Sequence, residues 1–148
     1  MSTHLYDSLG IGNAIVDILA RCEDDFLLSR GLHKGSMQLI DEAGAHALYQ
    51  AMGPTTMISG GSAANTIVGI ASFGGKSAFI GKVRDDAHGQ AFAHDIRAAG
   101  VTFTTPKATE GRATAQCLIF ITPDGERTMN TYLGSCQTLS VADTDPAL

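Results

Sequence analysis

Two polar side chains interrupt an apolar segment near the start of the chain: Asn13 and Asp17 in GNAIVDI, residues 12–18. Asparagine and aspartate are poor strand formers, and a buried charge is costly unless it is paired. Two readings are open. In one, Asn13 caps a turn and Asp17 marks the end of a strand. In the other, both line a polar pocket at the C-terminal end of a strand, where open α/β sheets bind ligands. An ionised aspartate has two acceptor oxygens and is suited to gripping vicinal hydroxyls. A second group follows in GGSAANT, residues 60–66. The pair Gly60 and Gly61 lets backbone approach a ligand closely. Asn65, one turn into the ensuing helix, points back toward its N-terminus with both a donor and an acceptor. Taken alone, such a turn is equally a plain connection.

Other chemistries fit poorly. Gly10-Ile-Gly12 begins like the dinucleotide fingerprint G-x-G-x-x-G, but Ile15 stands at the third glycine and the segment continues as strand. Gly69 to Ser77 resembles a phosphate-binding P-loop with one residue too many, leaving a helix where the motif leaves a strand. His4, His33, His46, His88 and His94 show no supported metal-ligand spacing, so no metal site is expected. Ser62 follows two glycines without a G-x-S-x-G elbow.

The elements that must position these residues alternate short apolar runs with amphipathic stretches, which is how βα units read. Residues 8–20 are expected as one strand entering the core, 41–52 as a helix, and 57–59 as a short strand. A second helix is expected from Ser62, its N-cap, to Phe73, closed by Gly74-Gly75. Residues 77–83 return as a strand, 86–99 form a third helix stopped by Gly100, and a further strand begins at Val101. Helices between buried strands imply a largely parallel sheet. The last third differs: 113–122 and 126–133 flank Pro123-Asp124-Gly125 and read as a hairpin, a separate flap or small sheet.

Composition narrows the class. The chain has 148 residues, 44% of them hydrophobic, with 17 glycines, no Trp and a formal net charge of -5. That is enough for one domain with a real core. No Lys/Arg cluster offers the footprint of nucleic-acid binding. The N-terminus lacks the features of a signal peptide, and the run 9–20 is too short to span a bilayer. Cys22, Cys117 and Cys136, odd in number and far apart, suit neither a disulfide framework nor zinc, so a reducing cytoplasm is expected.

GGSAANTIVGIASFGGKSAFIGKVRDDAHG, residues 60–89, resembles the N-terminal signature of the PfkB/ribokinase family of carbohydrate and nucleoside kinases, with Gly60, Gly61, Asn65, Gly75, Gly81, Asp86 and Gly89 at the matching points. GNAIVDI and GERTMNTYLG also look like family elements, so the resemblance spans the chain. It implies a ribokinase-like α/β fold, a three-layer α/β/α core with a β-hairpin or sheet lid. The lid elements would fall at about 12–40 and 112–134. By similarity, Asp17 and Asn65 would hydrogen-bond ribose hydroxyls, with Asn13, Gly60 and Gly61 completing the sugar site. The Asn13/Asp17 spacing and the lid wording look most like bacterial adenosine kinases, enzymes of purine salvage.

Period-2 alternation places Ala115, Cys117, Ile119 and Ile121 on one face of the lid strands, and Met129, Thr131 and Leu133 on another. Cys117, Met129, Thr131 and Leu133 would then be lid contacts. Such an apolar surface could cover a purine, pair with another lid in a homodimer, or pack on the core. The resemblance implies phosphoryl transfer from Mg-ATP to a primary hydroxyl, with a possible monovalent cation. The family's D-T-x-G-A-G-D element, which carries the catalytic base, does not occur in residues 1–148. Hence no catalytic residue is expected within this chain. It would be the N-terminal, recognition part of a kinase whose ATP-binding half is absent, and inactive alone. Arg84 stands where many relatives carry Gly and is expected at the surface beside Asp85 and Asp86. The expected activity is 5′-phosphorylation of adenosine; a sugar kinase acting on ribose, fructose or a ketodeoxy acid, and a non-catalytic nucleoside- or sugar-binding module, are the alternatives.

Overall fold

In the computed structural model, which describes residues 5–146, the chain runs β1 (Ser8–Ile11), β2 (Ile15–Arg21), α1 (Asp24–Ser29), β3 (Met37–Leu39), α2 (Glu42–Ala51), β4 (Thr56–Gly60) and α3 (Ser62–Ser72). It continues through β5 (Ser77–Ile80), α4 (Ala87–Ala98), β6 (Val101–Thr102), β7 (Ala115–Ile121) and β8 (Arg127–Tyr132), then two short 3-10 helices at Gly134–Thr138 and Val141–Asp143. His4 lies outside the described residues.

The segment expected as one strand over 8–20 is two strands in two sheets. The cause is packing at the break. A Cβ on Gly12 would lie 2.7 Å from that of Ala63, and one on Gly10 would lie 2.5 Å from Ile67 Cγ1. Glycine backbone therefore lies flush against α3, and the chain leaves that helix only after Gly12. Asn13 consequently sits in the break, not inside a strand.

β1, β5 and β6 form an all-parallel sheet in the order β1-β5-β6, as βα connections require. A second sheet, ordered β3-β8-β7-β2-β4, is mixed: β2 runs parallel to β7 and antiparallel to β4, and β7 and β8 form the expected hairpin. This second sheet is the lid. The expectation of a largely parallel sheet therefore holds only for the three-stranded core, since β2 and β4 join the lid. Propensity reads a strand's existence, whereas its partner is a non-local matter.

Asp41 caps α2 by accepting from the Gly44 amide at 2.7 Å, and Asp86 caps α4 by accepting from Gly89 at 2.8 Å. The N-cap of α3 is Gly61, at φ +97°, so Ser62 is the first helical residue and not the cap expected of it. The core is centred on Phe79, Phe92 and Phe103, whose ring centroids lie 5.5–6.1 Å apart. α3 packs on β1 and β5, while α4 packs on β6 and also on β2 and β4. Behind the lid, Leu27 and Leu32 pack on Phe120, and Ala45 on Leu118 and Tyr132.

Within the described residues the chain passes between core and lid four times: at 12–14, at 60–61, between β6 and β7, and at 133–134. The crossings are tied to one another. The Ser135 amide donates to Ala113 O at 2.8 Å, and the Cys136 thiol to Ala14 O at 3.2 Å. Gly61 presses on Asn13 O so closely that no Cβ would fit.

Candidate functional site

Register decides which lid residues face the same way. Across the five strands, Ile58, Asp17, Cys117, Thr131 and Leu39 form one row, and Thr56, Leu19, Ile119, Met129 and Met37 form the neighbouring row on the same face. The intervening row, Met57, Ile18, Leu118, Asn130 and Gln38, belongs to the opposite face, where Leu118 meets α2. Met129 and Thr131 thus share a face with Cys117 and Ile119. Leu133 lies just past β8.

Asp17 is the only acidic side chain in those two rows, and it is half-buried. No described residue donates a hydrogen bond to its carboxylate. Burial pushes its pKa up, and the Arg127 guanidinium opposes that rise. The carboxylate rests directly on Gly60: a Cβ there would stand 2.6 Å from Oδ1 and closer still to Oδ2 and Cγ. Asn65 lies on the other side of the Gly60–Gly61 turn, its amide donating to Gly61 O at 2.8 Å and its side chain exposed. The structure therefore gathers Asp17, Gly60, Gly61 and the backbone of Asn13 into one contact set, with Asn65 at its edge in the first turn of α3. The helix N-terminus adds amides that no side chain caps.

Around Asp17 the face is apolar. Cys117 is buried, its pKa raised chiefly by burial, and it accepts from Thr131 Oγ1 at 3.2 Å. It is a packed thiol and not a reactive one. Past the end of β3 lies a hollow of about 360 Å3 lined by Leu39, Asp41, Glu42, Arg112, Thr131 and Tyr132. Arg112 is held by a hydrogen bond to Gln137.

Sequence reasoning missed Met37, Leu39 and Ile58, exposed at 58%, 62% and 54% on this same face. The signal was the alternation Met37-Gln38-Leu39, but a three-residue strand is too short to stand out by period alone. Arg127 and Arg112 gave no signal, since the groups they act on, Asp17 and Gln137, are far from them in sequence. Arg84 is half-buried: its amide donates to Thr114 Oγ1 and its guanidinium to Gly111 O at 2.8 Å. Among the described residues, no group of three His, Cys, Asp or Glu is placed to hold a metal ion, and no helix is long and apolar enough to cross a membrane.

Residues 41–145 match the sequence profile of the pfkB family carbohydrate kinases. In three dimensions the chain is similar to the adenosine kinase from Sinorhizobium meliloti, with a TM-score of 0.91 and 54% identity over 96% of this chain and 43% of that one. It is similar to a probable sugar kinase from Rhizobium etli at TM-score 0.90 and 49% identity, over 95% of this chain and 42% of that one. The Escherichia coli fructokinase is 36% identical over 86 residues, 58% of this chain and 28% of that enzyme. The chain thus spans less than half the length of these proteins, and its strand-built lid over an α/β core is their ribokinase-like architecture.

Proposed function

Because this chain belongs to the pfkB family of carbohydrate kinases, we propose that the whole protein phosphorylates the 5′-hydroxyl of adenosine and that these 148 residues supply its recognition. The observation that carries the reading is the lid row itself: one carboxylate, Asp17, to which no described residue donates a hydrogen bond, set among Cys117, Thr131, Leu39 and Ile58. A nucleoside has that polarity, with a diol at one end and a flat, weakly polar base at the other.

In this reading Asp17 accepts hydrogen bonds from the two ribose hydroxyls, and Asn65 donates to or accepts from one of them. Gly60 and Gly61 let the sugar approach the backbone. Met129, Cys117, Thr131 and Leu133 cover the base and exclude water, with Leu39 and Ile58 extending the cover. Mg-ATP, bound by the whole protein, supplies the phosphoryl group. Among the described residues, no cluster of His, Cys, Asp or Glu fits the metal. The three cysteines are free and suit a cytoplasmic protein.

A second reading, a sugar kinase, is favoured by the polar lining of the 360 Å3 hollow, where Asp41, Glu42 and Arg112 could meet sugar hydroxyls, and by the fructokinase and probable sugar kinase relatives. ADP formation by the whole protein with adenosine, ribose and fructose decides between them. A kcat/KM for adenosine at least tenfold above the sugars supports the nucleoside reading, and the reverse order overturns it. Tight adenosine binding without ADP formation makes the protein a binding module.

A further inference from the structure

Asp86 makes more hydrogen bonds than a helix cap needs. Asp41, in the same role on α2, makes one side-chain hydrogen bond, to the Gly44 amide. Asp86 accepts three. Oδ1 takes the Gly89 amide at 2.8 Å and the Thr114 hydroxyl at 2.7 Å, while Oδ2 takes the Thr114 amide at 2.9 Å. Two of the three therefore go to Thr114, 28 residues away and fully buried. Burial alone would raise the Asp86 pKa, but the hydrogen bonds from Thr114 and Gly89 prevail and hold it below the usual carboxylate range.

Thr114 is the last residue before β7, which pairs along its whole length with β2, Cys117 standing opposite Asp17. Its Oγ1 also accepts the Arg84 amide at 3.0 Å. The knot has no slack, since a Cβ on Gly89 would overlap Arg84 O and lie 2.9 Å from Thr114 Oγ1. One carboxylate thus fixes the start of a core helix and the root of a lid strand in the same frame.

We infer that Asp86 and Thr114 form the pivot that sets the angle of the lid over the core, Asp86 being a positioning residue that acts on Asp17 through β7. The ligand arm of this inference rests on the nucleoside reading above; the mechanical arm does not. Asp86→Asn puts an N–H2 where an acceptor faced N–H or O–H donors. Thr114→Val keeps the volume and removes the hydroxyl, and Thr114→Ser keeps the hydroxyl.

The test is carried out on the whole protein by amide hydrogen exchange and by kinetics. Asp86→Asn and Thr114→Val should speed exchange across 115–121 about tenfold while leaving 77–80 in the core sheet unchanged, and Thr114→Ser should match the parent. The same two variants should raise the KM for adenosine about tenfold with kcat held within about twofold. Unchanged exchange at 115–121, equal acceleration at 77–80, or an unaltered KM beside faster lid exchange would each overturn the inference. If the parent itself ignores adenosine, the nucleoside reading fails, and the exchange pattern alone then decides whether the pivot exists.

Discussion

Substituting Gly60 by alanine tests the site at its tightest point. An added Cβ would stand 2.6 Å from Asp17 Oδ1, and closer to Cγ and Oδ2, where ordinary van der Waals contact begins near 3.4 Å. The carboxylate must therefore move by about 1 Å, and β2 cannot follow, because it is paired on both sides with β4 and β7. Asp17 is only half-buried, so its side chain can rotate away and the fold should survive. Geometry at the ligand does not survive: a misplacement of about 1 Å costs on the order of 10² in productive binding. Two charge-assisted hydrogen bonds weakened by about 1.4 kcal/mol each likewise amount to about 100-fold. Calorimetric titration of the whole protein with adenosine should show Gly60→Ala weakened about 100-fold, close to Asp17→Ala, with the melting temperature within a few degrees of the parent. Wild-type affinity in Gly60→Ala would refute the placement of the ligand against this carboxylate.

Three further outcomes are expected. Because burial raises the folded-state pKa of Asp17, its stabilising contribution is full below the unfolded value near 3.8 and is lost as pH rises through the folded value. Asp17→Asn should therefore melt above the parent at pH 7, the gap closing as pH falls toward 3.8, while adenosine binding is lost at every pH. Phe79→Ala, in the fully buried ring cluster with Phe92 and Phe103, should cost about 3–5 kcal/mol in denaturant unfolding. Lys82 and Asp143 form an ion pair with side-chain exposures of 10% and 14%. Asp143→Asn should cost about 2 kcal/mol by stranding the lysine, whereas pairing it with Lys82→Met should recover most of the loss in a double-mutant cycle.

Local chemistry announced much of this structure. The helix starts at Asp41 and Asp86, Gly100 past the end of α4, and the Pro123-Asp124-Gly125 hairpin are each fixed by nearest neighbours, so their residue types suffice. The lid was legible only where a hairpin made its register local, at Cys117 opposite Thr131. β4 and β3 reach that sheet across long separations, and nothing in Thr56–Gly60 or Met37–Leu39 names their partners. The break at Gly12 was half visible: Asn13 interrupts the apolar run there, but only the approach of Ala63 and Ile67 shows why the chain must turn. Asp17 was visible as an oddity in an apolar run, but its seat on Gly60 is a three-dimensional fact.

Four crossings between core and lid also set a clock. A lid on one linker would sample orientations in nanoseconds to microseconds, each dihedral moving independently. Here any swing must change backbone angles at all four passages together, with Gly61 at φ +97° the glycine at one of them and the ties at Ala113 and Ala14 resisting. Concerted motions of that kind fall in the microsecond-to-millisecond range, the range in which lid opening limits turnover in many enzymes.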